Sequence, residues 1–264
     1  MYKSFFILLF VTVLLGCEQT EAPKQETTSP VAETINLDRY PEALQKVFAK
    51  HGSLERWNEM NALYFEIEKE EGNEKTSVDL KDRRERIETT DFITGYDGKD
   101  FWIEADTSYK GNPVFYHNLM FYFYAMPFVV SDPGINYGET EPVLYEGKSY
   151  PGIRISYNDG VGVSSKDEYF IHYDPQTFEM AWLGYTVTYY SNQKSDKLGW
   201  IRYDDWKKFN GVLLPNSATW FKTTEDGKLQ EPRRTRKFVN VLLEEKPFDD
   251  KVFEKTTGAK VYED

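Results

Sequence analysis

Hydrophobic and polar positions follow different rhythms along the chain. Between Asp38 and Met60 apolar residues recur at helical spacing, with Leu44, Val47 and Phe48 on one stretch and Leu54, Trp57 and Met60 on the next. Pro41 suits a first helical turn, His51-Gly52 stops that helix, and Ser53 caps a second. From Leu63 the period becomes two. Leu63, Phe65 and Ile67 alternate with Tyr64, Glu66 and Glu68, as in a strand with one buried face. Similar runs occur at residues 100–105, 152–157, 167–173, 179–190, 200–206, 212–222 and 237–243. Asp97-Gly98, Asn158-Asp159-Gly160, Asp174-Pro175, Asn210-Gly211 and Asp226-Gly227 supply turn chemistry between several of them. The pattern predicts an α+β protein, mostly antiparallel β, built as a meandering sheet.

One segment has no alternation at all. Residues 114–130 read VFYHNLMFYFYAMPFVV, with only His117 and Asn118 strongly polar. As a single helix the block would be about 25 Å long, apolar on every side, with Pro127 disturbing its last turn. Three roles fit such a helix: core packing on one sheet face, a lid over a cavity that holds an apolar ligand, or an interfacial helix dipping into a membrane. The missing Lys and Arg count against the third, and the first two are compatible. Phe121, Phe123, Tyr124, Met126 and Phe128 are the ligand-contact candidates from the block, and Trp102 and Trp182 are those from the strands.

The start of the chain reads differently again. Lys3 precedes an apolar run from Phe5 to Leu15 that ends in LLGC, which has the form of a secretory signal too short to anchor as a transmembrane helix. Leu14, Leu15, Gly16 and Cys17 resemble the bacterial lipobox, which implies a signal over residues 1–16 and a lipid (palmitate-type) anchor on Cys17. The alternative is an incidental thiol behind a plain signal. Residues 18–36 are rich in Glu, Thr, Pro and Ser and cannot repay ordering by burial, so 17–36 is expected to be a lipidated tether and 37–264 one folded domain.

Composition narrows the partners. The formal net charge is −12, and the basic residues cluster only at Arg83, Arg84, Arg86 and at Arg233, Arg234, Arg236, Lys237. Nucleic acid, which needs a positive footprint, is not expected as a partner. Cys17 is the only cysteine, so no intrachain disulfide and no cysteine metal site can form.

Catalytic signatures are missing. Gly160, Gly162 and Ser165 make an incomplete dinucleotide fingerprint, and Pro142 stands where a phosphate loop ending in Gly147-Lys148-Ser149 needs its first glycine. There is no Gly-x-Ser-x-Gly elbow. His51, His117 and His172 lack metal-ligand spacing. Asp204-Asp205 and Asp249-Asp250 are adjacent pairs, which on a strand would point to opposite faces. No catalytic residue, metal or cofactor is assigned.

Four phrases spread over most of the mature chain resemble the LolA/LolB-like family of periplasmic lipoprotein carriers: HGSLERWNEMNAL before the first strand, YFIHYDPQTFEMAWLGY, YDDWKKFNGVLLPNSATW and FVNVLLEEKPFDDKVFEKT. The resemblance implies a strongly curved sheet, an incomplete barrel with helices covering its concave face. Apart from the family, Phe248 and Phe253 are spaced to close one end through a short terminal helix. The resemblance also implies a monomeric lipoprotein of the cell envelope, held at the outer membrane and facing the periplasm, that binds an acyl chain or other apolar ligand in lipid or lipoprotein trafficking. Two other classes stay open, an enzyme acting on envelope glycans and a protein-interaction module with a filled core. The family's soluble carriers lack a lipid anchor, and the arginines that hold their lid shut find no match in Arg83, Arg84 or Arg86.

Overall fold

A computed structural model describes residues 35–105, 109–158, 160, 164–191, 193–224 and 227–263. The expected signal segment, Cys17 and the tether through residue 34 lie outside them, as do Asp159, Gly162 and Asp226. Residues Ile35–Asp264 form one compact unit.

All thirteen strands among the described residues belong to one antiparallel sheet. They are β1 (Ala62–Ile67), β2 (Glu74–Asp79), β3 (Glu85–Glu88), β4 (Phe92–Tyr96), β5 (Phe101–Ala105), β6 (Ile135–Tyr145) and β7 (Lys148–Tyr157). The remainder are β8 (Tyr169–Tyr173), β9 (Met180–Tyr185), β10 (Gly199–Phe209), β11 (Val212–Thr223), β12 (Leu229–Glu244) and β13 (Lys260–Val261). The order across the sheet is β13-β5-β4-β3-β2-β1-β12-β11-β10-β9-β8-β7-β6. Two meanders are thus joined where β1 pairs with β12, and β13 and β6 remain as free edges. The sheet is an incomplete barrel.

The helical start follows its sequence pattern. α1 (Glu42–Lys50) is preceded by Pro41 and buries Leu44, Val47 and Phe48. The Ser53 hydroxyl accepts from the Arg56 amide to cap α2 (Leu54–Glu59), which buries Leu54 and Trp57. Between them Gly52 sits at φ 113° with its α-carbon against the Gly211 carbonyl, where a β-carbon would come within 2.4 Å. Only glycine lets α1 turn that closely over the β10–β11 hairpin.

The expectation of one helix over residues 114–130 is corrected. The block is divided into α3 (Pro113–Tyr116), α4 (Leu119–Tyr124) and a 3-10 turn (Phe128–Ser131). The break falls at Asn118, which takes a left-handed φ of 58°. Buried Glu85 fixes it: its Oε2 accepts the Asn118 amide at 2.8 Å and lies 3.1 Å from His117 Nδ1. The run over 179–190 is also shorter than expected as a strand, since β9 ends at Tyr185.

Topology explains why the block is apolar. It connects β5, next to one free edge, with β6, the opposite free edge, so it has to cross the whole sheet. It does so through a single core that also collects Leu63, Phe65, Phe238, Leu214, Ile201, Leu183, Ile171 and Ile155 from β1, β12, β11, β10, β9, β8 and β7. Residues from so many neighbouring strands can meet one strap only if the sheet curves around it, which puts the helices on the concave face.

A smaller cluster lies on the other face. There Tyr145, beyond a register shift in β6, packs on Trp182 and Phe221 at 4.8 and 5.7 Å.

Candidate functional site

The block is held by polar groups on strands whose sequences look solvent-exposed. Glu74 of β2 accepts from the Tyr116 hydroxyl at 2.6 Å and pairs with Lys69, and Glu85 of β3 takes the contacts of His117 and Asn118 described above. Both carboxylates are buried and point to the concave face, opposite Ile67 and Val78 in the ladders. Burial, and then the Glu74 charge, raise the Tyr116 phenol well above its usual range. On the far side, Tyr203 of β10 donates to the Phe123 carbonyl at 2.7 Å. The strap is therefore pinned at both flanks.

The five candidates from the block lie in the core. Phe128 stacks on Trp57 at 4.8 Å and 7°, Tyr124 meets Phe238 at 4.3 Å and Phe65 at 4.5 Å, and Phe123 meets Tyr185 at 5.0 Å. Phe121, Tyr124, Met126 and Phe128 are all 0% exposed. Their space is filled with protein. The Tyr124 hydroxyl has no hydrogen-bond partner among the described residues, and burial raises its pKa.

The two tryptophans lie elsewhere. Trp102 is sealed against Gly95, and its indole N–H donates to the Phe253 carbonyl at 3.1 Å. Trp182 belongs to the cluster on the opposite face, with the Arg202 guanidinium 5.6 Å from its ring. The structure brings neither one to the block.

Open space runs along the block's outer flank. A cleft of about 560 Å³ has Phe115, His117, Leu119 and Tyr122 of the strap at its base. One wall comes from β4 and β5, where Tyr96 and Phe101 pack on His117 at 5.0 and 5.2 Å. The other comes from β7 and β8, where Tyr157 and Tyr169 meet edge to face at 6.1 Å. Those strands lie toward the two free edges, so the cleft occupies the seam that the sheet leaves unclosed. The strap residues of the cleft belong to the same apolar block, chiefly its first half, ahead of most positions that pack inward.

Charged groups sit at the rim. Arg83 donates through Nη2 to both Asp132 oxygens at 2.9 and 3.0 Å and covers the Phe121 ring at 4.8 Å. Burial outweighs that pairing and raises the Asp132 carboxyl above its ordinary range. Lys81 is lowered, chiefly by burial. Asp167 accepts from the Thr188 amide and hydroxyl at 2.6 and 2.7 Å. Among the described residues no group of three or more His, Cys, Asp or Glu is placed to hold a metal ion, and no helix is long and apolar enough to cross a membrane.

An open antiparallel sheet curved around a helical strap, with a ring-walled seam, defines an α+β incomplete barrel. In fold the chain is similar to a LolA superfamily protein from Nitrosomonas europaea, with 11% identity, a TM-score of 0.46, and coverage of 80% of this chain and 97% of that one. A DUF1329 family protein from Desulfovibrio piger gives 12% identity, a TM-score of 0.48 and coverage of 81% and 98%. A putative outer membrane lipoprotein-sorting protein domain from Vibrio parahaemolyticus gives 8%, 0.40, and coverage of 79% and 93%. At these identities and scores the likenesses carry no argument about activity. The chain belongs to a family of unknown function (DUF6503), which residues 97–234, more than half of it, match. Compared with curated proteins, it has no match.

Proposed function

We propose that this protein is an envelope lipoprotein, anchored through a lipid on Cys17 and facing the periplasm at the outer membrane, that binds an acyl chain or similar apolar ligand in the seam cleft. The observation that carries the reading is the cleft's construction. About 560 Å³ falls within the range of small-molecule sites, and the base and facing walls carry a run of rings with Leu119, while Lys81, Arg83, Asp132 and Asp167 supply charge around them. The ligand would lie along Phe115, Leu119 and Tyr122 between Phe101 and Tyr157, and burial of its apolar surface would drive binding at roughly 25 cal/mol per Å². Phe121, Phe123, Tyr124, Met126 and Phe128 would support that surface from behind. A role in lipid or lipoprotein trafficking follows from such a site on an anchored, monomeric carrier.

The test is titration of the purified chain with a fluorescent fatty acid, supported by native mass spectrometry for co-purifying lipid. Saturable binding that Leu119→Asp weakens at least tenfold supports the reading, and no uptake by the wild type ends it. A parallel labelling with a radioactive fatty acid should tag the wild type and not Cys17→Ser. A glycan-acting enzyme would need Asp132 and Asp167, the two carboxylates among the cleft's described residues. Each is engaged, Asp132 by Arg83 and Asp167 by Thr188, and this favours binding over catalysis.

A further inference from the structure

At one end of the sheet β9 ends, β10 begins, β11 ends and β12 begins, side by side. Between those strand ends lies a second cleft of about 610 Å³. Tyr185, Trp200, Trp220 and Phe221 are among its lining residues. Among the described residues its charged lining is Lys197, Lys222 and Arg233, with no carboxylate. In a chain of net charge −12 that is an unusual local balance.

The neighbouring residues extend it. Arg234 and Arg236 follow on β12, with their guanidinium groups 5.8 and 5.9 Å from the Trp220 ring. Of the ten arginines in the chain, Arg56, Arg83, Arg84, Arg86, Arg154 and Arg202 are ion-paired, and Arg39 donates to the Ser131 carbonyl. Arg233, Arg234 and Arg236 reach no carboxylate among the described residues. Of the lining cations, Lys222 has an acidic partner, Glu231 at 2.7 Å. Burial, and then the like charges of Arg236 and Arg233, push the Arg234 pKa down. Clustered cations with no counter-charge among the described residues, as at Arg233, Arg234 and Arg236, repel one another, and a counter-anion from outside relieves that repulsion.

We propose that this second cleft binds a phosphate group, with its charge met by Lys197, Lys222 and Arg233 and any flat or apolar part of the ligand covered by Trp220. Several cations lining one cleft suit a multiply charged anion better than a single carboxylate, and the arginine fork matches phosphate oxygens two at a time. A soluble phosphate ester and an anionic lipid head group present the same chemistry. The site is separate from the seam cleft, and the inference stands whether or not an acyl chain binds there.

The experiment uses the full chain carrying Cys17→Ser, so that no lipid anchor contributes. Inorganic phosphate is titrated calorimetrically at low ionic strength, and co-sedimentation is measured with phosphatidylglycerol and with phosphatidylcholine vesicles. Phosphate binding without vesicle preference points to a soluble ester, and binding to phosphatidylglycerol vesicles points to a head group. In either case R233Q should weaken binding about tenfold, the effect of losing a hydrogen bond to a charged group, and added salt should weaken it further. Arg154→Gln, which removes a surface arginine paired with Glu168, is the control and should leave it unchanged. Arg233 is exposed, so R233Q should keep the wild-type unfolding midpoint. The proposal is overturned if neither probe binds, or if R233Q and R154Q behave alike.

Discussion

Two buried histidines set a pH limit on this fold. His51 and His172 are 0% and 1% exposed, and each lies with Nδ1 against a backbone carbonyl, Val47 at 2.8 Å and Tyr150 at 3.2 Å. A carbonyl only accepts, so Nδ1 carries the hydrogen and Nε2 is bare. His51 faces the Trp206 ring at 4.5 Å and His172 the Trp200 ring at 5.5 Å, and neither Nε2 has a partner among the described residues. Protonation would bury a charge with no acceptor for its second N–H. Burial accordingly lowers both pKa values from 6.5 to about 4.

The unfolded chain therefore binds these two protons first as pH falls. Their contribution is intact above pH 6.5, declines from there, and is fully lost below about 4. Linkage gives a loss of about 2 kcal/mol per histidine at pH 5, about 4 kcal/mol for the pair. Asp132, whose pKa is raised, acts in the opposite sense, but it does so equally in wild type and variant. Urea unfolding followed by tryptophan fluorescence at pH 7.5 and 5.0 measures the difference. The His51→Gln/His172→Gln chain starts less stable and should lose under about 1 kcal/mol over that interval. If it loses as much as the wild type, the burial argument is wrong.

Two further substitutions test the packing. Phe128→Ala removes the ring stacked on Trp57 and should cost about 3–5 kcal/mol in urea unfolding, as for a large core side chain; a cost under about 1 kcal/mol would mean that the strap is not part of the core. Gly95→Ala places a β-carbon 2.4 Å from the Trp102 ring and 2.8 Å from the Glu85 carbonyl, so it should cost about 1–3 kcal/mol, whereas Gly138→Ala, with nothing within 4 Å, should not meet any clash.

The sheet was legible where one face of a strand is greasy. β1 and β7 through β12 follow the period of two, and the turns at Asp97-Gly98, Asp174-Pro175 and Asn210-Gly211 fall between strands. β2 and β3 were missed because their inward positions include Glu74, Thr76 and Glu85, whose burial depends on partners far along the chain. β6 was missed because it is an edge strand, mostly exposed, with Pro142 at its register shift. The break in the strap depends on Glu85 meeting Asn118 across 33 residues, a contact that no local pattern encodes. The side of each tryptophan follows from its neighbour, since Leu183 and Ile201 face the core and so turn Trp182 and Trp200 away from it. That parity was readable, but which of the two side chains would win the inside was not.

The pairing of β1 with β12 bears on how the protein is made. An early strand has its lateral neighbour near the far end of the polypeptide, so the first meander waits with one bare side until almost the whole chain has been synthesised and delivered. Premature termination before β12 would yield two separate half-sheets whose unmatched edges invite aggregation, and not a smaller working version of the molecule.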